Sequence, residues 1–197
     1  MRKGGKRQAI LDAALACVVE KGYHSSTVDE ISKRAGVSKG SVYWYFKSKK
    51  EIFKDVLNMY AEKWLAALDA LFEEEKDPKE AICSLFEMVR ERMEDREKIE
   101  TCQALLEYWA FAARDKEVKI WVEELYRKYK MKVLPMLEAG IKSGTIKGED
   151  PDEVFSLISL VSIGGVVIPL VNENVLGIKR NWDKIVRFLI KAITQKV

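Results

Sequence analysis

The sequence feature that most constrains the fold is residues 27–46, TVDEISKRAGVSKGSVYWYF, which predict two short helices joined by a sharp turn. Thr27 and Glu30 have the spacing of a capping box, in which each side chain satisfies a free backbone N–H at the start of a helix. Ser38 is a favourable N-cap for the second helix. Gly36 lies between the two helices and permits a backbone turn that other residues avoid. Two short helices joined by such a turn are the layout of a helix-turn-helix.

The second of these helices contains four consecutive aromatic residues, which helical periodicity assigns to different faces. At the turn angle of an α-helix, Phe46 falls about 40° from Val42, so these two side chains form the buried stripe. Trp44 falls about 200° from Val42 and points away from the core. Tyr43 and Tyr45 lie on opposite flanks of the exposed face. The alternative is that the two tyrosines, and less readily Trp44, are half-buried packing residues.

The exposed face of this helix suits insertion into a groove of nucleic acid. Gly40 lies about 40° from Trp44 and permits close approach. Lys39 and Ser41, near the N-terminal end, present hydrogen-bond donors where recognition helices meet base edges. The two phenols can reach phosphates on the groove walls. Lys49, in the first turn of the next predicted helix, adds a further contact with an anion.

The distribution of charge predicts a polyanionic partner for the same region. Residues 1–50 hold 11 Lys and Arg against 4 Asp and Glu, a net charge of +7. The remaining 147 residues hold 23 basic and 27 acidic residues, a net charge of −4. A concentrated positive field attracts either nucleic acid or an anionic membrane surface. Charge alone therefore leaves open a second interpretation, a helical module that binds membranes or RNA without sequence specificity.

The rest of the chain is predicted to be helical as well. Only 4 prolines and 11 glycines occur in 197 residues, and strand-like alternation is absent nearly everywhere. We therefore predict an all-α protein of about nine helices, with a helix-turn-helix domain at 1–48 and a second helical domain at 49–197. A kink is expected at Pro135. The predicted helices span residues 6–22, 28–35, 39–46, 49–75, 78–95, 98–113, 117–142, 151–171 and 182–196.

The segment TVDEISKRAGVSKGSVYWYFKSKKEIF, residues 27–53, resembles the DNA-binding signature of the TetR family of transcriptional regulators. The shared pattern is a capping Thr, an Ile-Ala pair, Ala-Gly-Val-Ser, Gly or Pro, a Tyr, an aromatic pair and Lys-x-Lys-Glu, and the resemblance extends over residues 7–60. Ser32 departs from it, since the family usually has Ala there, but both residues are small. The C-terminal part resembles the family only in its number of helices and in the loop SGTIKGEDPDE.

The resemblance implies a set of DNA contacts and partners. Contacts with phosphates are implied for Thr27, Ser38, Tyr43, Tyr45 and Lys49. Contacts with bases are implied for Lys39, Gly40, Ser41 and Trp44. The family also implies a homodimer on a palindromic double-stranded operator. Its second domain binds a small-molecule effector, here expected to be apolar or aromatic, and filling of that pocket releases the DNA, so that the protein acts as a repressor.

Residues 154–171 contain no charged side chain, and their length is close to that of a membrane span. The segment also contains three serines, two adjacent glycines and Pro169, and it is the only one of its kind in the sequence. A helix that is apolar all round is better explained as buried on both sides. By resemblance, this helix and the helix at 182–196 form the dimer interface, with Phe188 and Leu189 as candidate contacts.

The effector pocket is expected among the helices between residues 78 and 171. Glu107 lies in an otherwise apolar run, ALLEYWAFAA, where a buried carboxylate could hold a cationic ligand. However, Gln103, Glu107 and Arg114 share one stripe of the helix, which is typical of a solvated face. For each aromatic candidate the alternative is ordinary core packing. The candidate walls of the pocket are Phe86, Trp109, Phe111, Trp121 and Phe155.

Enzymatic functions find little support in the sequence. His24 is the only histidine and lies in a predicted loop, and neither a P-loop nor a Rossmann glycine pattern is present. We therefore expect no catalytic residue, no metal and no cofactor. Cys17, Cys83 and Cys102 are odd in number and widely spaced, which favours a reducing compartment. No apolar signal stretch follows the basic N-terminus, so a cytoplasmic location without membrane attachment is expected.

Overall fold

The computed structural model describes residues 3–171 and 176–194, and over these residues it is all-α, as predicted. Most helices begin and end within three residues of the predicted positions. The described helices are α1 (Lys3–Ser25), α2 (Val28–Arg34), α3 (Lys39–Tyr45), α4 (Lys49–Glu74), α5 (Pro78–Glu94), α6 (Arg96–Ala112), α7 (Lys116–Ser143), α8 (Pro151–Val171) and α9 (Ile178–Ile193).

The chain divides into two compact units, and the division differs from the predicted boundary between residues 48 and 49. The N-terminal unit comprises Met1–Lys63 and Gln103–Leu125, and the C-terminal unit comprises Trp64–Cys102 and Tyr126–Val197. The C-terminal part of α6 and the start of α7 thus belong with α1, α2, α3 and the first part of α4. Contacts between residues so distant in the sequence leave no local signal, and the functional boundary at the end of the helix-turn-helix stays a prediction.

The N-terminal unit is built around the buried faces of α1, α2 and α3. Ile10 on α1, Ile31 on α2 and Val42 on α3 are fully buried in one apolar cluster. Phe53, from the first turns of α4, belongs to the same cluster. Burying a large apolar side chain stabilises a fold by about 1.5–3 kcal/mol, so these few contacts fix how the two short helices pack.

Glycine and proline mark the ends of the helices much as the sequence predicted. Gly22 has φ 76° and interrupts the helical conformation at the predicted end of the first helix, although three further residues follow as helix. Asp77 accepts hydrogen bonds from the backbone N–H groups of Lys79 and Glu80, with Pro78 at the first helical position. α7 continues through Pro135, and the kink expected there stays a prediction.

The C-terminal unit packs α5, α8 and α9 against each other around Trp182. The Trp182 indole is buried, lies against Gly165 of α8, and donates from Nε1 to the carbonyl oxygen of Phe86 at 3.3 Å. α9 begins at Ile178, so the start predicted at Trp182 is wrong by four residues. Gly177, with φ 58°, provides the turn that starts the helix earlier. Residues 195 and 196 of the predicted last helix lie outside the described residues.

Candidate functional site

Hydrogen bonds between residues three apart cap the starts of α2 and α3, and a glycine forms the turn between the two helices. Thr27 accepts from the backbone N–H of Glu30 at 3.2 Å, and the Glu30 carboxylate accepts from the backbone N–H of Thr27 at 3.1 Å, which confirms the predicted capping box. Gly36 has φ 65° and carries the chain through the turn. Ser38 accepts from the backbone N–H of Ser41 at 3.1 Å, which confirms it as the N-cap of α3.

The aromatic side chains of α3 are divided between core and solvent as the helical repeat predicted, except that Tyr45 takes the alternative, half-buried position. Val42 and Phe46 are buried, whereas Trp44 is 63% exposed and Tyr43 is 50% exposed. Tyr45 is half-buried, packs against the core, and meets the Trp44 ring edge-on with the ring centres 4.6 Å apart. The Trp44 indole thus adds a large apolar surface to the exposed side of α3, where a macromolecule could contact it.

The N-terminal end of α3 is open and polar. A side chain at Gly40 would meet only the Ser38 hydroxyl, at 4.0 Å, so this part of the helix is accessible to a flat partner. Lys39 pairs with Asp29 at 2.8 Å, and both side chains are more than half exposed. Exposed pairs of this kind contribute little to stability, so the ammonium of Lys39 can leave Asp29 for another anion at little cost.

Lys49 occupies a different environment from the one that the sequence predicted. Its ammonium donates to the carbonyl oxygens of Tyr23 and Ser26, both at 2.9 Å, and lies 4.4 Å from the centre of the Tyr23 ring. Burial lowers the pKa of Lys49. In this arrangement the side chain ties the start of α4 to the end of α1, and its predicted phosphate contact would require these bonds to break. The remaining DNA contacts inferred from the resemblance stay predictions.

A second charged group, which the sequence analysis did not single out, holds the same unit together. Lys50 donates to Asp115 at 2.8 Å and to Glu117 at 3.0 Å, joining the first turn of α4 to the start of α7. Hydrogen bonding to Lys50 lowers the pKa of Asp115, and hydrogen bonding to Asp115 raises the pKa of Lys50.

Three of the predicted effector contacts pack inside the N-terminal unit. Glu107 accepts from the backbone N–H of Tyr23 at 3.1 Å, and the Phe111 ring lies 4.5 Å from the Tyr23 ring, centre to centre. Lys54 places its ammonium 4.6 Å from the centre of the Trp121 ring. A shallow cleft in this region is lined by Val18, Tyr23, Phe53, Glu107, Tyr108 and Phe111.

The other aromatic candidates do not complete that cleft. Phe86 is fully buried in the core of the C-terminal unit, and Phe155 packs against Tyr129 in the same unit with the ring centres 5.3 Å apart. Trp109 is half-buried on α6 in the N-terminal unit. The six predicted contacts are thus distributed over both units, and their role as walls of one pocket stays a prediction. An aromatic residue on a buried helix face looks the same in sequence whether it lines a pocket or fills a core.

α8 and α9 expose large apolar side chains. Leu160 is 70% exposed, Val171 is 80% exposed and Phe188 is 75% exposed. By length and composition alone, α8 could cross a membrane. Only 17% of its most apolar 18-residue stretch is buried within the single chain. Within a single chain this helix is therefore not buried on both sides, and its burial by a second subunit stays a prediction.

Residues 10–56 match the sequence model of a protein family, the bacterial regulatory proteins of the tetR family. The fatty acid metabolism regulator protein of Bacillus subtilis is 41% identical over 66 residues, which span 32% of this chain and 34% of that protein. The HTH-type transcriptional regulator YhgD of Bacillus subtilis is 27% identical over 148 residues, 75% of each chain. The chain thus matches only about a third of the first relative and three quarters of the second.

Two solved structures share the fold over nearly the whole chain. A FadR transcriptional regulator from Bacillus subtilis in complex with stearoyl-CoA has a TM-score of 0.80 at 24% identity, with 94% of this chain and 98% of that chain covered. A regulator from Saccharomonospora viridis in complex with choline has a TM-score of 0.84 at 18% identity, with 96% and 98% covered. At these identities the likeness establishes the fold alone.

Proposed function

Because this chain belongs to the TetR family of bacterial regulatory proteins, we propose that it is a ligand-responsive, sequence-specific DNA-binding transcriptional regulator. It binds a palindromic operator as a homodimer and represses transcription until a small-molecule effector releases it. It acts in the cytoplasm and catalyses no reaction.

The exposed face of α3 is the observation that carries this proposal. Trp44 and Tyr43 are exposed beside Gly40, while Val42 and Phe46 anchor the opposite face in the core. The surrounding first fifty residues have a net charge of +7, which attracts the phosphates of DNA from any sequence. An anchored helix with an exposed aromatic face in a basic unit has the properties required for reading bases in a major groove.

DNA binding is tested by fluorescence anisotropy with a duplex from upstream of the protein's own gene and a shuffled duplex of the same composition. We expect tighter binding to the upstream duplex at moderate salt, and a steep fall of affinity with salt for both duplexes. Trp44→Ala should reduce the preference between duplexes more than it reduces binding to the shuffled one. Equal affinity of the wild-type protein for both duplexes would refute sequence-specific binding.

The dimer is proposed to form through α8 and α9, the helices near 154–171 and 182–196. The support is the exposed apolar face of these helices, which includes Leu160 and Phe188. A second copy of the same face would bury it, as homodimer interfaces commonly do. Light scattering should give twice the mass of 22.6 kDa at micromolar concentration, and the mass of a single chain would contradict the proposal.

Release by an effector is supported by the solved relatives, one of which holds stearoyl-CoA and another choline. We propose that the effector of this protein binds in its C-terminal helical part. The proposed contacts are Phe86 and Phe155 of the C-terminal unit, together with Glu107, Trp109, Phe111 and Trp121, which lie in the N-terminal unit.

A further inference from the structure

The C-terminal unit contains one partly buried cation whose environment differs from that of the cations around it. Arg92, near the end of α5, places its guanidinium carbon 3.9 Å from the centre of the Trp64 ring. Other cations of the unit have carboxylate partners: Lys98 with Glu91, Lys130 with Asp152, Lys132 with Asp69, and Arg90 with Glu87. Among the residues that the structure describes, no carboxylate forms an ion pair with Arg92.

The groups that face Arg92 do not supply the missing negative charge. Cys102 and Tyr129, both buried, are the side chains with which the guanidinium interacts electrostatically. Burial raises the pKa of the Cys102 thiol and raises the pKa of Tyr129 to about 12, so both are neutral at pH 7. Burial also lowers the pKa of Arg92, but a guanidinium stays protonated under any ordinary condition. Among the described residues, the Trp64 ring is thus the group seen to attract this charge, and its attraction is weaker than that of a carboxylate.

Two further buried hydroxyls lie on α8, and that of Ser159 is close to Tyr129. The Tyr129 ring packs against Phe155 of α8, and its phenol is close to the hydroxyl of Ser159. The hydroxyls of Ser159 and Ser162 are buried, and neither makes a hydrogen bond of satisfactory geometry within the described residues. By contrast, Ser156 on the same helix donates to the carbonyl oxygen of Asp152 at 2.8 Å. Buried polar groups in folded proteins normally have hydrogen-bond partners, so we expect a further molecule to supply a partner for these hydroxyls.

We propose that Arg92, Tyr129 and Ser159 bind the anionic head of an organic ligand whose apolar body lies against the rings of Trp64 and Phe155. A guanidinium, a phenol and a hydroxyl can all donate to acceptor oxygens, and carboxylate and phosphate are the groups that a guanidinium pairs with best. The rings beside them offer apolar surface. The inference rests on the proposed function in one respect only, since it names the chemical class of the effector.

The test compares four ligands with the same alkyl chain and different heads, measured on the full-length protein by isothermal titration calorimetry without DNA. The ligands are dodecanoate, dodecyl phosphate, dodecanol and dodecyltrimethylammonium, each below the concentration at which it forms micelles. We expect at least tenfold tighter binding of one or both anions than of the neutral and cationic ligands. The two anions distinguish a carboxylate site from a phosphate site. Equal binding of all four heads, or binding of none, would overturn the proposal.

Substitution of the arginine separates a binding role from a structural one. Arg92→Met removes the charge and keeps the apolar stem, so it should weaken binding of the preferred anion at least tenfold and leave dodecanol unaffected. Arg92→Lys should retain part of the affinity, and Arg90→Met, which removes an exposed, ion-paired arginine of the same helix, should leave it unchanged. Without ligand, Arg92→Met should melt at or above the temperature of the wild type, because an unpaired buried charge is lost.

Two results would contradict the role of Arg92. One is unchanged anion binding by Arg92→Met, and the other is an equal loss of affinity for anion and alcohol in both Arg92→Met and Arg92→Lys. The result is independent of the proposed function, because DNA preference is measured separately by anisotropy. A protein that binds the anion through Arg92 and shows no preferred DNA would refute the regulator and leave the anion site intact.

Discussion

The two adjacent glycines of α8 allow a prediction of opposite effects from the same substitution. At Gly165 an added Cβ would lie 2.5 Å from Cη2 of Trp182 and in equally severe contact with Cζ3. At Gly164 the nearest side-chain atom is Cδ1 of Ile168 at 3.7 Å, an ordinary contact. In both positions Ala is favoured over Gly within a helix by about 1 kcal/mol. The difference between the two variants therefore measures the packing of Trp182 against α8.

The cost at Gly165 follows from what surrounds the indole. Trp182 is 2% exposed, its Nε1 donates to the Phe86 carbonyl oxygen, and its ring lies 6.0 Å from the Phe86 ring, so it cannot withdraw without breaking contacts. Overpacking of this kind costs about 1–3 kcal/mol, and a displaced hydrogen bond costs roughly 1 kcal/mol more. After the gain in helix propensity, we expect Gly165→Ala to be destabilised by about 1–3 kcal/mol and Gly164→Ala to be stabilised by up to about 1 kcal/mol.

Thermal and urea unfolding at equal protein concentration measure this difference. For a chain of this size, 1 kcal/mol shifts Tm by about 2–4 °C, so the two variants should differ by several degrees. Sedimentation velocity on both variants checks that their oligomeric state is that of the wild type, because α8 is also the proposed dimer helix. A Tm of Gly165→Ala equal to or above that of Gly164→Ala would refute the inferred packing of Trp182.

Three further predictions concern the other surfaces. Tyr43→Phe should weaken binding to the upstream and shuffled duplexes by a similar factor in anisotropy, because it removes a hydroxyl proposed to contact phosphate; a change of preference would contradict this role. Phe188→Glu should halve the mass measured by light scattering and leave the helical circular dichroism intact, and an unchanged mass would exclude Phe188 from the interface. Hydrogen bonding to Lys50 lowers the pKa of Asp115 in the folded state, so its contribution to stability is present above the ordinary Asp range and is lost as pH falls through the lowered pKa. Asp115→Asn should therefore lose stability at neutral pH and vary less with pH in that acidic range, and an unchanged pH profile of unfolding would count against the pairing.

The helix-turn-helix could be predicted from the sequence because its determinants are local. The capping hydrogen bonds of Thr27 and Ser38 each join residues three apart, and the burial of Val42 and Phe46 follows from the helical repeat. A single sequence contains all of this information, since the chemistry and the spacing are both visible. The division of the aromatic residues between core and solvent needed no knowledge of the rest of the molecule.

The interactions that the sequence did not reveal join residues far apart in the chain. Tyr23 and Glu107 are separated by 84 positions, and Trp182 and Phe86 by 96. The same long-range packing placed residues 103–125 in the N-terminal unit and distributed the predicted pocket residues over both units. A single sequence has no pairing information at such separations, so a carboxylate or an aromatic residue on a helix keeps several interpretations until the fold is known.

The segment after Gly22 is contacted by two charged residues for which other roles were predicted. Binding roles were predicted for Lys49 because it lies in the first turn of α4, and for Glu107 because it is a carboxylate in an otherwise apolar run. In the structure Lys49 donates to the carbonyl oxygens of Tyr23 and Ser26, while Glu107 accepts from the Tyr23 N–H. A cation at the carbonyl end of a helix and an anion at a free N–H are the placements that the backbone dipoles favour. Each charge thus binds backbone groups in the segment that follows the bend at Gly22, so the two residues fasten the end of α1 within the N-terminal unit.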